Sequence, residues 1–129
     1  MYITIDERDR RPVYQQIVDE IKVLIARGEL QEGSSLPPVR QVASDLGVNL
    51  NTVAFAYRQL QQQGLIQIKH GSGTTVIARK TAKKADEVLQ AQLRSALTDL
   101  SLAGLSRVEI IALVTNTLAH LSQKSPAEK

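Results

Sequence analysis

Between Gly33 and Val76 the chain reads GSSLPPVRQVASDLGVNLNTVAFAYRQLQQQGLIQIKHGSGTTV. Two short apolar patterns of helical period stand on either side of a single glycine. Two apolar runs of strand type then flank a glycine-rich tip. Helix, tight turn, helix and hairpin in that order describe a winged helix-turn-helix, a module built to set its second helix in the major groove of DNA.

The boundaries come from residue chemistry. Pro12 suits the first turn of a helix, where its missing N–H costs nothing. Tyr14, Ile17, Ile21, Leu24 and Ile25 then recur at helical spacing, and Gly28 follows their end, so a first helix is expected from about residue 12 to 27. Gly33-Ser34-Ser35 reads as a turn. Pro37 and Pro38 fit only at a helix entry, and a second helix from Val39 to Leu46 would bury Val39, Val42, Ala43 and Leu46. Gly47 supplies the turn. Asn49 is a good N-cap for a third helix, with its side chain on the N–H of Asn51 or Thr52. Val53, Ala56, Tyr57 and Leu60 form that helix's inner face, and Gly64 stops it. Residues 65–69 and 74–78 read as two strands around His70-Gly71-Ser72-Gly73. The alternating start of residues 1–11 suggests an edge strand or arm.

Beyond the basic stretch RKTAKK at 79–84 the pattern is helical. Ala85, Leu89, Leu93, Ala96, Leu97 and Leu100 line one face of a fourth helix ending near Ala103-Gly104. Ser106 and Glu109 form an S-x-x-E capping box for a fifth. Its apolar residues Ile110, Ile111, Leu113, Val114, Thr117, Leu118 and Leu121 cover more than one stripe, so two sides call for burial. Two helices of about 40 residues cannot supply that much cover by themselves. A second copy of the chain is the simplest source. Leu93, Leu97, Leu100, Ile110, Val114, Leu118 and Leu121 are therefore the expected dimerisation residues. The expected organisation is a DNA-binding domain at 1–78, a linker at 79–84, a helical dimerisation region at 85–122 and a tail at 123–129. The fold class is mainly α with a small β-hairpin wing.

Charge is unevenly spread. The 129 residues carry a net charge of +3. Residues 40–84 hold seven Lys/Arg against Asp45 alone, a net of +6, whereas both flanks are slightly acidic. The excess cation thus falls on the segment read as a nucleic-acid module, where phosphate attraction calls for it. No apolar run is long enough for a membrane span, and the start has no signal-peptide stretch. The absence of cysteine excludes disulfides and thiolate metal sites. The expectation is a cytoplasmic protein without cofactor or metal.

The segment from Pro12 to Val76 resembles the N-terminal domain of the GntR family of bacterial transcription regulators. The resemblance rests on five ordered pieces: PVYQQI, GSSLPPVRQVASDLGV, NTVAFAY, QGLI and HGSGTTV. A short all-helical tail after this domain looks like the YtrA subfamily. The resemblance implies a DNA-contacting arginine in an L-P-x-x-R motif, matched by Arg40, and a minor-groove or phosphate contact at the wing tip, matched by His70 and Gly71. It also implies a repressor whose heads are moved by a small effector, although no pocket for one can be read from the sequence.

The residues support the same face independently. Arg40, early in the second helix, can reach phosphate or a guanine edge. Asn49, Asn51 and Thr52 open the third helix, whose N-terminal residues enter a groove first. Asn can pair with adenine, and Thr can bond phosphate or touch a thymine methyl; helix capping accounts for Asn49 equally well. Arg58 suits phosphate positioning, and Lys69 adds unspecific attraction. The chain departs from the family at Pro38, where a serine is usual, and at Leu50 and Ala54, where many members carry base-reading arginines. Contact with thymine methyls or shape readout is expected in place of guanine readout. Phe55, next to the expected groove face, has no assigned role beyond packing against either the wing or the first helix.

Catalysis finds no support. His70 and His120 are far apart in sequence, neither has an acid at ligand spacing, and no nucleophile is paired with a base. His120 is expected to be partly buried on the last helix. The expected function is a homodimeric transcription regulator, not an enzyme, that binds an inverted repeat in double-stranded DNA. A protein-interaction adaptor is the alternative, and the basic central segment argues against it.

Overall fold

The computed structural model describes residues 1–69, 71, 73–77 and 87–122. The expected linker at 79–84, the tail at 123–129 and His70 lie outside the described residues. Two compact units are present, one running through Ile77 and one made of the two C-terminal helices.

The first unit is built on three helices: α1 (Val13–Ala26), α2 (Val39–Leu46) and α3 (Leu50–Gln62). Pro12 stands just ahead of α1, and its carbonyl accepts the N–H groups of Gln15 and Gln16 at 3.0 and 3.2 Å. The helix presents Ile17, Val18, Ile21 and Leu24 inward, while α3 presents Val53, Ala56, Tyr57 and Leu60. All eight side chains are buried in one core with Val42, Ala43, Leu65, Ile66 and Val76. Full burial of each large aliphatic stabilises the unit by about 2 kcal/mol.

The turn between α2 and α3 needs a left-handed residue. Gly47 provides it at φ 69°, and the chain reverses so that the Val48 N–H reaches the Ala43 carbonyl at 3.0 Å. Any side chain at that position would strain the backbone. Asn49 then caps α3 as its chemistry predicts, its Oδ1 accepting the Asn51 N–H at 2.7 Å.

The wing is a three-stranded antiparallel sheet in the order β1-β3-β2, with β1 at Ser35–Leu36, β2 at Ile66–Lys69 and β3 at Gly73–Val76. Ser35 pairs with Thr75 and Leu36 with Thr74; on the other side Ile66 pairs with Val76 and Lys69 with Gly73. Two expectations are corrected here. Ser35 belongs to a strand, not to a turn, because the segment from Gly33 supplies β3 with its second edge. The Gly33 N–H bonds the Val76 carbonyl, and the Val76 N–H bonds the Ser34 carbonyl, each at 2.9 Å. Residues 1–11 form no strand despite their alternating start. A buried side chain from α1 satisfies their backbone instead. Gln16 accepts the Asp6 N–H at 2.9 Å and donates to the carbonyls of Asp6 and Arg11 at 3.3 and 3.2 Å. With Ile3 buried as well, the arm is held against the core without a sheet.

The second unit consists of α4 (Glu87–Leu102) and α5 (Arg107–Ser122). The predicted capping box is present: Ser106 N–H to Glu109 Oε1 at 2.7 Å, and Glu109 N–H to Ser106 Oγ at 3.2 Å. Leu97, Leu100, Leu105, Ile110 and Leu121 are half-buried, while Leu93, Ile111, Leu113, Val114 and Leu118 are exposed. His120 is exposed, contrary to its expected partial burial, because two helices alone offer too little surface to cover the last turn of α5.

Candidate nucleic-acid interface

The entrances of α2 and α3 lie side by side because a buried phenol ties them. Tyr57, on the inner face of α3, donates its hydroxyl to the Pro37 carbonyl at 2.6 Å. Its ring has no exposure, and burial pushes the phenol well above its ordinary pKa by disfavouring the phenolate. The carbonyl just ahead of α2 is thereby fixed to the middle of α3.

Between the two entrances is a shallow cleft of about 700 Å³. Pro38, Val39, Leu50 and Ala54 give it aliphatic walls; Arg40, Gln41 and Asn51 line it with polar groups, and Ser44 and Asp45 complete it. Arg40 and Asn51, from the first turns of different helices, are thus brought to one cleft, and both are exposed. Asn49 adjoins them, with its side-chain oxygen engaged in the cap. Thr52 is half-buried.

The other expected contacts among the described residues lie further along α3 and on the wing. Arg58 is exposed on α3, and its guanidinium carbon lies 5.8 Å from the centre of the Phe55 ring. Phe55 meets Tyr14 of α1 edge-on, the ring centres 4.7 Å apart. Of the two expected neighbours, the wing and the first helix, Phe55 meets the helix, and it forms a bracket between α1 and Arg58. Lys69 and Gly71 are exposed on the wing. The wing is fastened to the end of α3 by Gln61, whose Oε1 accepts the Ile68 N–H at 2.7 Å.

The electrostatics are segregated. The described ion pairs all fall in residues 1–39: Arg8 with Asp6 at 3.7 Å, Arg11 with Asp9 at 2.7 Å and with Asp19, and Arg27 with Glu29 at 2.9 Å. The Arg11 guanidinium, through its side-chain hydrogen bonds, holds the Asp9 carboxyl below its ordinary pKa. Among the described residues, Arg40, Arg58 and Lys69 take part in no ion pair. Arg8, Arg11 and Arg27 are thus paired with nearby acids, whereas Arg40, Arg58 and Lys69 are not, which leaves their charge open to an outside anion.

Sequence reasoning missed Gln41, Ser44 and Asp45 as cleft residues, the Tyr57 hydroxyl as the tie between α2 and α3, and Gln61 as the fastening of the wing. Asp45 carried a signal, being the one acid in an otherwise cationic segment. The others required the tertiary contacts. Among the described residues no group of three or more His, Cys, Asp or Glu could hold a metal. No described helix is long and apolar enough to cross a membrane.

Residues 13–76 match the family described as bacterial regulatory proteins, gntR family. The HTH-type transcriptional repressor YtrA of Bacillus subtilis (strain 168) is 34% identical over 105 residues, which cover 79% of this chain and 81% of that protein. A transcriptional antiterminator from Listeria monocytogenes EGD-e superposes with a TM-score of 0.85 at 31% identity, covering 95% of this chain and 93% of the other. The DNA-binding domain of AraR, solved in complex with operator ORE1, superposes at a TM-score of 0.51 and 26% identity, covering 59% of this chain and 93% of that domain.

Proposed function

Because the chain belongs to the GntR family of bacterial regulatory proteins and is a DNA-binding transcription regulator, we propose that it acts as a homodimeric repressor in the cytoplasm. Two winged heads, joined through α4 and α5, clasp an inverted-repeat operator. The observation that carries the dimer is the apolar surface of the second unit. Leu93 is 57% exposed, Ile111 52% and Leu113 42%. A helix pair with that much apolar surface open to water is stabilised by covering it with an identical pair. A two-fold arrangement then orders the heads so that they meet two half-sites of opposite sense, spaced by about one helical turn or a multiple of it.

At each half-site α3 enters the major groove with Asn49, Asn51 and Thr52 leading. Arg40, Arg58, Lys69, His70 and Gly71 hold the backbone or the adjoining groove. Repression is inferred from the relative that is itself a repressor. A small effector that alters the packing of α4 and α5 would change the spacing of the heads and so release the operator.

Sedimentation with a selected duplex tests this directly. Two chains per duplex, with a half-site duplex bound far more weakly, is the expected result. One chain per duplex at full affinity would overturn the dimeric reading.

A further inference from the structure

Leu50 is the first residue of α3, and 46% of it is exposed. A side chain at the first turn of a helix can be polar at no expense to folding, so an open leucine there has no structural explanation. Ala54 stands one turn further along the same face and is half-buried. Both line the cleft, opposite Pro38 and Val39. None of these four side chains carries a hydrogen-bonding group. The rest of the lining is polar: Arg40, Gln41, Ser44, Asp45 and Asn51.

That composition narrows the choice of occupant. A phosphate can be held by Arg40 and Asn51 but gains nothing from the four aliphatic side chains, which call for an apolar group. The surrounding segment is nevertheless cationic, with Arg40, Arg58 and Lys69 unneutralised among the described residues, so charge draws a polyanion to this face. The occupant must belong to that polyanion yet present an apolar group. Among the base edges in the major groove only thymine does so, through its C5 methyl.

We propose that Leu50 and Ala54 are specificity-determining residues that read thymine methyl groups, each half-site presenting a thymine to the cleft between α2 and α3. This rests on the DNA-binding reading above and adds the chemistry of what is read. Leu50 excludes water from the methyl. Ala54 is small enough to let the base edge approach.

The test uses the full chain and a duplex that it selects from a random library, remade with deoxyuridine replacing thymidine one position at a time. Deoxyuridine removes the methyl and leaves every hydrogen-bonding group. Loss of one buried methyl should weaken binding about fourfold at one or more positions in each half-site. In Leu50→Ala, whose exposed site and favourable helix former keep α3 intact, thymine and deoxyuridine should bind alike at one of those positions. Leu50→Gln should select a different base there, because its amide favours adenine. The inference is overturned, with the DNA-binding reading intact, if a selected duplex is bound equally well at every deoxyuridine position, or if Leu50→Ala retains the full preference for thymine throughout. Failure to select any sequence overturns both.

Discussion

The hydroxyl of Tyr57 donates to the carbonyl of Pro37 at 2.6 Å, joining the buried face of α3 to the residue before the N-cap of α2. Two helices that meet at a glycine turn could otherwise pivot about it, and the cleft would change with the angle. Tyr57→Phe keeps the ring and removes only the tie. It should lower stability by about 1 kcal/mol and weaken operator binding by more than that loss of folded protein explains. Thermal unfolding and anisotropy on the same samples separate the two effects.

The same phenol predicts an alkaline limb. Burial raises the pKa of Tyr57 in the folded state above its unfolded value. The folded chain therefore holds its proton to higher pH than the unfolded chain. Stability is fully present below about pH 10 and falls as pH rises beyond it. Denaturant midpoints from pH 8 to 11 should show the decline, and Tyr57→Phe should flatten it.

Much of this arrangement was legible because punctuation residues act locally. Pro38 and Gly47 bound α2, and Asn49 caps α3 through a bond of 2.7 Å to its near neighbour Asn51. The Ser106–Glu109 box starts α5 in the same way. What was not legible depends on partners distant in sequence. Ser35–Leu36 is too short to show strand period, and only β3 makes it a strand. Phe55 had two candidate neighbours, the wing and the first helix, and only the contact with Tyr14 decides between them. Arg40 and Asn51 could be assigned to the first turns of two helices. That these turns share a cleft with Asp45 depends on the angle Tyr57 sets.

Gln16 is the tie for the N-terminal arm. It is 4% exposed and makes three hydrogen bonds to the backbone of Asp6 and Arg11. Gln16→Leu should cost about 1–3 kcal/mol by leaving those groups without partners. Limited proteolysis should then cut within residues 1–11 at protease levels that spare the unaltered chain.

Arg58 and Phe55 should act as a unit on phosphate. Arg58→Ala is expected to weaken binding to all duplexes by a similar factor and to reduce the slope of log affinity against log salt by about 0.9. Phe55→Leu keeps an apolar contact for Tyr14 but removes the ring beside the guanidinium. It should reduce affinity without further effect in the Arg58→Ala background. Additive losses in the double variant would show that the two side chains work separately.

Leu93→Glu with Val114→Glu places charge on the apolar surface of α4 and α5. Such chains should sediment as monomers. Their heads should keep native circular dichroism, and their operator affinity should fall at least a hundredfold through loss of the second half-site. A dimer of unchanged stability would move the contact elsewhere on the chain.

Selection from a random duplex library at about 0.15 M salt, followed by anisotropy against random competitor, tests the central claim most directly. The account predicts an enriched inverted repeat with half-sites about one helical turn apart or a multiple of it, bound at least a thousandfold more tightly than random DNA. A library that emerges without enrichment, or an asymmetric single site bound as tightly as any repeat, would contradict it.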